Sequence, residues 1–243
     1  SADILACLYF DVLRHNPKNP KWEDRDRFVL SKGHACPLLY SVLARCGYFP
    51  LEELKTLRKI NSRLQGHPDS QKTPGVEIST GSLGQGISAA EGMALAGKID
   101  KKSYRVYVLI GDGEIEEGEV WESAMSAGYY KLNNLCAILD YNGLQIDGPI
   151  KKVMNPEPIK EKWSSFGWHT IEINGHSISQ ILNAFKEAEQ TKDKPTIIIA
   201  HTIKGKGVSF MENVVEFHGK APTEQEAKTA LNELKEEKKE WKN

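Results

Sequence analysis

Apolar and polar positions along the chain alternate between two periods. RVYVLI (105–110), CAILDY (136–141), WHTIEI (168–173) and TIIIA (196–200) are apolar runs of strand length, and FVLS (28–31) is an earlier one. Segments 117–131, 156–166 and 178–190 lie between them with helical spacing of their apolar residues. Upstream, residues 1–14 predict a helix closed by NPKNP. KGHACPLLYSVLARCGY predicts a helix running out of FVLS, and LEELKTLRKI continues as helix after Pro50. ISAAEGMALAGKID predicts another, with small residues for close packing. TEQEAKTALNELKEEKKEWKN closes the chain as a charged helix, opened by a capping box from Thr223 to Glu226. Apolar strands alternating with amphipathic helices predict an α/β fold, a central parallel sheet with helices on both faces. No repeat and no Ser- or Gly-rich linker interrupts it, so the expectation is one domain over residues 1–243.

Composition narrows the function. A formal net charge of -1 offers no bulk attraction to nucleic acid or to an anionic membrane. No apolar run reaches the roughly 18 residues of a membrane helix, and no signal peptide is visible. Cys7, Cys36, Cys46 and Cys136 form no CxxC pair and sit in apolar surroundings, which predicts buried thiols in a reducing, cytoplasmic setting. The chain opens without Met inside an amphipathic segment, so residues preceding Ser1 are expected. The polar, Gly- and Pro-rich stretch 61–86 is long for a connection in a compact domain and marks a functional or disordered segment.

The chemistry concentrates at two strand ends. GDGEIEEGEVWES (111–123) follows RVYVLI and holds Asp112, Glu114, Glu116, Glu117 and Glu119. A glycine turn after a strand suits phosphate, whereas carboxylates repel it. DYNGLQIDG ends the next strand, and sequential parallel strands are usually neighbours, so Asp112 and Asn142 face one point. A carboxylate, an amide oxygen and a free carbonyl suit a hard cation such as Mg²⁺ or Ca²⁺, which completes its shell with phosphate oxygens. Gly111 and Gly113 allow close backbone approach and offer amide donors. The alternative is an acidic helix N-terminus stabilised by the helix dipole, which is all that Glu114 and Glu116 are expected to be. Neither GxxxxGK[ST] nor GxGxxG is present, which disfavours nucleotide hydrolysis and nicotinamide dinucleotides.

These residues resemble a family. GDG followed about thirty residues later by Asn at the next strand end is similar to the thiamine diphosphate fingerprint. RDRFVLSKGHACPLLYSVLARCGY, RLQGHPD, PGVEISTGSLGQG, GDGEIEEGEVWESA, KLNNLCAILDYNGLQIDG, GWHTIEINGH and HTIKGKGVSF…FHGKAP resemble, in order and over nearly the whole chain, transketolases. The resemblance implies the thiamine diphosphate-binding fold and transfer of a two-carbon glycolaldehyde unit from a ketose phosphate to an aldose phosphate. It covers only the diphosphate-binding domain, which implies the split form. A second, C-terminal subunit would supply the pyrimidine-binding domain, in an α₂β₂ assembly.

The resemblance also implies roles. Asp112, Asn142 and the Leu144 carbonyl match the metal ligands; Gly113, beside Gly111, matches a diphosphate-contacting amide. His34 matches a histidine near the diphosphate and reaction centre, with Lys32 close by, though a helix-cap histidine is the other reading. His67 matches a contact to the donor sugar; otherwise it is a plain turn before Pro68. Gly81, Ser82 and Leu83 match the segment beside the cofactor's amino group and rings, or simply allow helix packing. Lys204 matches a cation near the diphosphate, or is a solvated loop lysine. His218 matches a histidine binding substrate and diphosphate. Glu117 and Glu122 match glutamates of a network linking two active sites across a dimer interface, or face solvent. His15, His169, His176 and His201 match nothing and are expected to be structural.

Two features of the family are not in these 243 residues: the upstream SGHPG-type segment and the glutamate that activates the pyrimidine ring. The chain alone is therefore expected to be inactive. Three rivals stay open: the α-subunit of a 2-oxoacid dehydrogenase, a transketolase-like enzyme with an unusual sugar donor, and a non-catalytic binding half.

Overall fold

The computed structural model describes residues 1–240, so the end of the closing helix prediction, 241–243, lies outside the described residues. Five parallel strands form the sheet: β1 (Arg27–Leu30), β2 (Val106–Gly111), β3 (Leu135–Tyr141), β6 (His169–Asn174) and β7 (Thr196–His201), in the order β1-β2-β3-β7-β6. Between β3 and β6 the chain makes a short antiparallel hairpin, β4 (Leu144–Gln145) with β5 (Gly148–Pro149), that the apolar pattern did not announce.

The pleat sorts side chains to two cores. Tyr107, Leu109, Cys136, Ile138 and Ile198 pack on one face against α1 (Ala2–Cys7), α2 (Cys36–Cys46) and α7 (Ile178–Gln190). Val106, Val108, Ile110, Ala137, Leu139 and Ile197 point the other way, to α3 (Gln85–Ile99), α4 (Gly118–Tyr129) and α6 (Ile159–Ser165). Because both faces are covered, the central strands read as unbroken apolar runs. A short α5 (Ile150–Val153) precedes α6, and α8 (Glu224–Glu240) comes last. Its capping box forms: Thr223 N–H donates to Glu226 Oε2 at 2.7 Å, and Glu226 N–H to Thr223 Oγ1 at 3.3 Å.

Several predicted helices shorten. The first ends at Cys7 and widens into a π-type turn over Leu8–Val12. The helix expected to leave FVLS directly starts only at Cys36, after a tight 3₁₀ turn at Gly33–Ala35, with Pro37 in its first turn. LEELKTLRKI makes only a 3₁₀ turn over Leu51–Thr56, because it buries no side chain that would hold a longer helix. The 156–166 segment begins at Ile159, since Pro156 and Pro158 disfavour helix before them. All four cysteines are free thiols, Cys46 half-buried and the others buried. Among the described residues, no helix is long and apolar enough to cross a membrane.

Close packing in the second core depends on α4 passing near the end of α6. A Cβ added at Gly128 would stand 1.8 Å from the Phe166 carbonyl oxygen, a backbone atom that cannot swing aside. Gly128→Ala is expected to destabilise the chain by more than about 2 kcal/mol in urea denaturation, the upper range for overpacking.

Candidate active site

The C-terminal ends of β1, β2, β3 and β7 enclose a cleft of about 770 Å³. Each strand delivers its polar residue one or a few positions past its end, where ligands of parallel sheets bind. Lys32 and His34 follow β1, Asp112 follows β2, Asn142 follows β3 and Lys204 follows β7. Gly81 and Leu83 from the long polar stretch, His67, Gly111, Gly113, Glu117, Leu144 and His218 are among the other residues that line it. Ser82 lines an adjoining cavity instead, together with His67 and Gly81. Glu122 lines neither; it is exposed on α4.

Parallel pairing does bring Asp112 and Asn142 together: Asp112 Oδ2 accepts from Gly143 N–H, one residue past Asn142, at 2.6 Å. Asp112 Oδ1 accepts from Gly113 N–H at 3.0 Å, and Asn142 Oδ1 from Leu144 N–H at 3.2 Å. Asp112 is 2% exposed and forms no ion pair among the described residues. Burial therefore raises its pKa to about 6, against the pull of the Gly143 hydrogen bond and Lys32. A desolvated carboxylate without a counter-ion, beside an amide oxygen and an open carbonyl, fits a divalent cation.

Cationic groups occupy the other side. Lys32 is buried and donates to Asp140 Oδ2 at 2.8 Å; Asp140 also accepts from Thr202 Oγ1 and Ser1 Oγ. Burial works against both charges, yet the pair wins: the Lys32 pKa rises and that of Asp140 falls far below the usual carboxylate range. Lys204 has no carboxylate partner among the described residues, and burial, then Lys32, lower its pKa. The His34 and His218 rings stack at 5.0 Å, and His218 Nδ1 is buried without a hydrogen-bond partner. Burial first, then Lys32, His218 and Lys204, pull the His34 pKa to about 4; burial and Lys204 lower that of His218. Both rings are thus neutral imidazoles at neutral pH, beside Lys32, which Asp140 pairs, and Lys204, which has no carboxylate partner among the described residues.

Glu114 corrects the expectation of a solvated acid at a helix start. It is 2% exposed, and its carboxylate accepts from Ser31 Oγ at 2.5 Å, Gly84 N–H at 3.0 Å and Gly111 N–H at 2.9 Å. It joins the ends of β1 and β2 to the glycine-rich stretch before α3, and two of its three partners, Ser31 and Gly84, are distant in sequence. Glu116 and Glu117 are exposed, as a turn acid would be. Asp140 was also missed, although a carboxylate inside the apolar CAILDY was a signal, two residues before Asn142 and so on the same side of the strand. Gly33 approaches Thr80 and Gly81 so closely that a Cβ there would meet their backbone at 2.8 Å. Each of the four unassigned histidines has a hydrogen-bond partner: His15 bonds Tyr48 and Tyr9, His169 Glu187, His176 Asp3 and the Ile203 amide, His201 Glu172.

Residues 1–241 match the family model for the thiamine diphosphate-binding domain of transketolase. The chain belongs to the transketolase family. It is 47% identical over 235 residues to a 6-deoxy-6-sulfo-D-fructose transketolase subunit of Clostridium sp. (strain MSTE9), covering 97% of this chain and 86% of that one. It is 44% identical over 234 residues to one subunit of the apulose-4-phosphate transketolase of Phocaeicola vulgatus, covering 96% and 83%. A crystal structure of transketolase from Campylobacter jejuni superposes with a TM-score of 0.90 at 38% identity, over 95% of this chain but 37% of that one. As in that family, the cleft lies in a thiamine diphosphate-binding fold.

The protonation of His34 gives a check on the cleft's electrostatics. Its folded pKa of about 4 lies below the ordinary 6.5, so protonation favours the unfolded chain. Its stabilising contribution is complete above roughly pH 6.5 and is lost as the pH falls toward 4. An NMR titration of the apo chain should show the His34 imidazole titrating below about pH 5, well under a histidine of ordinary pKa near 6.5.

Proposed function

We propose that this chain is the thiamine diphosphate-binding subunit of a two-chain transketolase, moving a two-carbon glycolaldehyde unit from a ketose phosphate to an aldose phosphate. The observation that carries this is the cleft itself, where a buried carboxylate without an ion-pair partner, Asp112, and a lysine without one among the described residues, Lys204, gather beyond four strand ends. The two-chain reading is supported by relatives named as subunits, each matched over more than four-fifths of its length.

Thiamine diphosphate, when bound, supplies the carbon nucleophile that accepts the two-carbon unit and hands it on. Asp112, Asn142 and the Leu144 carbonyl would hold Mg²⁺ or Ca²⁺ against the diphosphate, so that the acidic turn meets phosphate through a metal. Gly111 and Gly113 let the backbone approach, and Lys32 and Lys204 place positive charge toward the phosphates. Gly81 and Leu83 line the side against which the rings would pack, with Ser82 behind them. His34 and His218, neutral at pH 7, can each donate or accept a proton at a sugar hydroxyl or carbonyl oxygen. His67 is exposed at the mouth of the cleft, within reach of a donor sugar. Glu117, at the rim, and Glu122, on the exposed side of α4, would meet other subunits of an α₂β₂ assembly. The glutamate acting on the pyrimidine ring would come from the C-terminal subunit. A cytoplasmic place in pentose phosphate metabolism accords with these substrates.

The donor has a second reading. The two subunits similar to this chain are named for a sulfonated deoxy-sugar and for a branched sugar phosphate, which favours testing unusual donors alongside xylulose 5-phosphate.

The experiment is a transketolase assay with ribose 5-phosphate as acceptor, thiamine diphosphate and Mg²⁺, comparing this chain alone with the complex purified from its native source. Turnover is expected only in the complex, and turnover by the chain alone would overturn the division of the site. In the complex, His67→Ala is expected to lower kcat/KM for the ketose phosphate by about tenfold, mainly through KM, the scale of a lost hydrogen bond to the donor sugar. Asp112→Ala should abolish Mg²⁺-dependent binding of thiamine diphosphate in calorimetric titration.

A further inference from the structure

Residues 57–84 contain turns but neither α-helix nor strand, yet they carry His67, Gly81 and Leu83 into the cleft. Backbone groups in such a stretch have no ladder to pair with, so other groups must hold them. One helix face supplies the partners. Cys36 and Tyr40 stand four residues apart on α2 and therefore share a face. The Tyr40 hydroxyl lies 3.0 Å from both the Gln65 and the His67 carbonyl oxygens. The Cys36 thiol lies 3.1 Å from the carbonyl oxygen of Gly66, between them. Two donors from one helix thus stand within reach of three consecutive carbonyls, the single Tyr40 hydroxyl proton being shared between Gln65 and His67. Both donor side chains are buried, Cys36 completely and Tyr40 at 1% exposure.

The consequence reaches the imidazole. Pro68 restricts His67 to extended backbone, so fixing the 65–67 carbonyls also fixes the direction in which the His67 side chain leaves. Its ring then lies against Gly81, where an added Cβ would come within 3.0 Å. The same helix begins two residues after His34, so α2 mounts both histidines and sets their relation across the cleft.

We infer that Tyr40, assisted by Cys36, is a positioning residue that sets the His67 imidazole and, through it, the affinity for the ketose phosphate. The affinity clause rests on the transketolase reading above; the positioning of the backbone does not.

Tyr40→Phe keeps the ring in its site and removes the hydroxyl. In the native complex, KM for the ketose phosphate should rise about tenfold with kcat within about twofold, the scale of one buried hydrogen bond. The dissociation constant of thiamine diphosphate, titrated without sugar, should hold within about twofold on the same reasoning. Hydrogen exchange at the amides of 65–67 should quicken about tenfold, while β2 and β3 stay protected. Cys36→Ser keeps a donor and should behave as wild type, whereas Cys36→Ala should shift exchange in the same direction as Tyr40→Phe. Unchanged KM and unchanged exchange in Tyr40→Phe overturn the inference. So does faster exchange spread over β2 and β3 with weaker cofactor binding, which marks general loosening. If the complex shows no transketolase turnover, the function fails separately, and exchange at 65–67 then decides the positioning.

Discussion

A buried lysine reaching sideways across a strand end organises this molecule. Lys32 leaves the end of β1 and meets Asp140 on β3, so its side chain passes over the end of β2, where a Cβ on Gly111 would lie 3.7 Å from its Cδ. Desolvating an ammonium and a carboxylate costs several kcal/mol each, and the pair is tolerable only with good geometry and further hydrogen bonds, which Thr202 supplies from the end of β7. Four neighbouring strand ends are thereby held in one relation. Asp112, at the end of the strand being crossed, keeps its burial but gains no counter-ion of its own. The cleft's chemistry follows from that asymmetry.

The glycine-rich stretch is the other half of the cleft, and it is held by side chains rather than by secondary structure. Glu114 takes the Gly84 amide, Thr80 Oγ1 donates to the Leu30 carbonyl at 2.6 Å, and α2 reaches the carbonyls of 65–67. Each of these bonds ties the body of the fold to a stretch without regular partners. A long irregular stretch can then be as well placed as a strand, which reconciles its polar composition with its place in the cleft.

The proton-handling groups sit where burial and like charge agree. His34 and His218 are pressed together beside two lysines, so protonating either ring would add positive charge to a desolvated, already cationic corner. Neutral imidazole is the form that can both donate and accept, and the fold secures it without a dedicated partner for His218 Nδ1.

Much of this was legible in the chain. The unbroken apolar runs announced strands covered on both faces, and the alternation with helices announced their parallel order. GDG and DYN at successive strand ends announced Asp112 and Asn142 together, because a parallel register places neighbouring strand ends side by side. What the sequence could not show was Glu114 buried rather than solvated, Asp140 as the partner of Lys32, or Tyr40 beneath His67. A carboxylate in an acidic turn looks the same in sequence whether it faces water or three donors. One of those donors, the Gly111 amide, is local, but Ser31 and Gly84 belong to segments that reach Glu114 only when the sheet closes and α3 packs on it. Local pattern determined which residues become strands and helices, since that depends on spacing along the chain. Tertiary structure alone decided which polar groups are desolvated together, since that depends on the meeting of residues far apart in sequence.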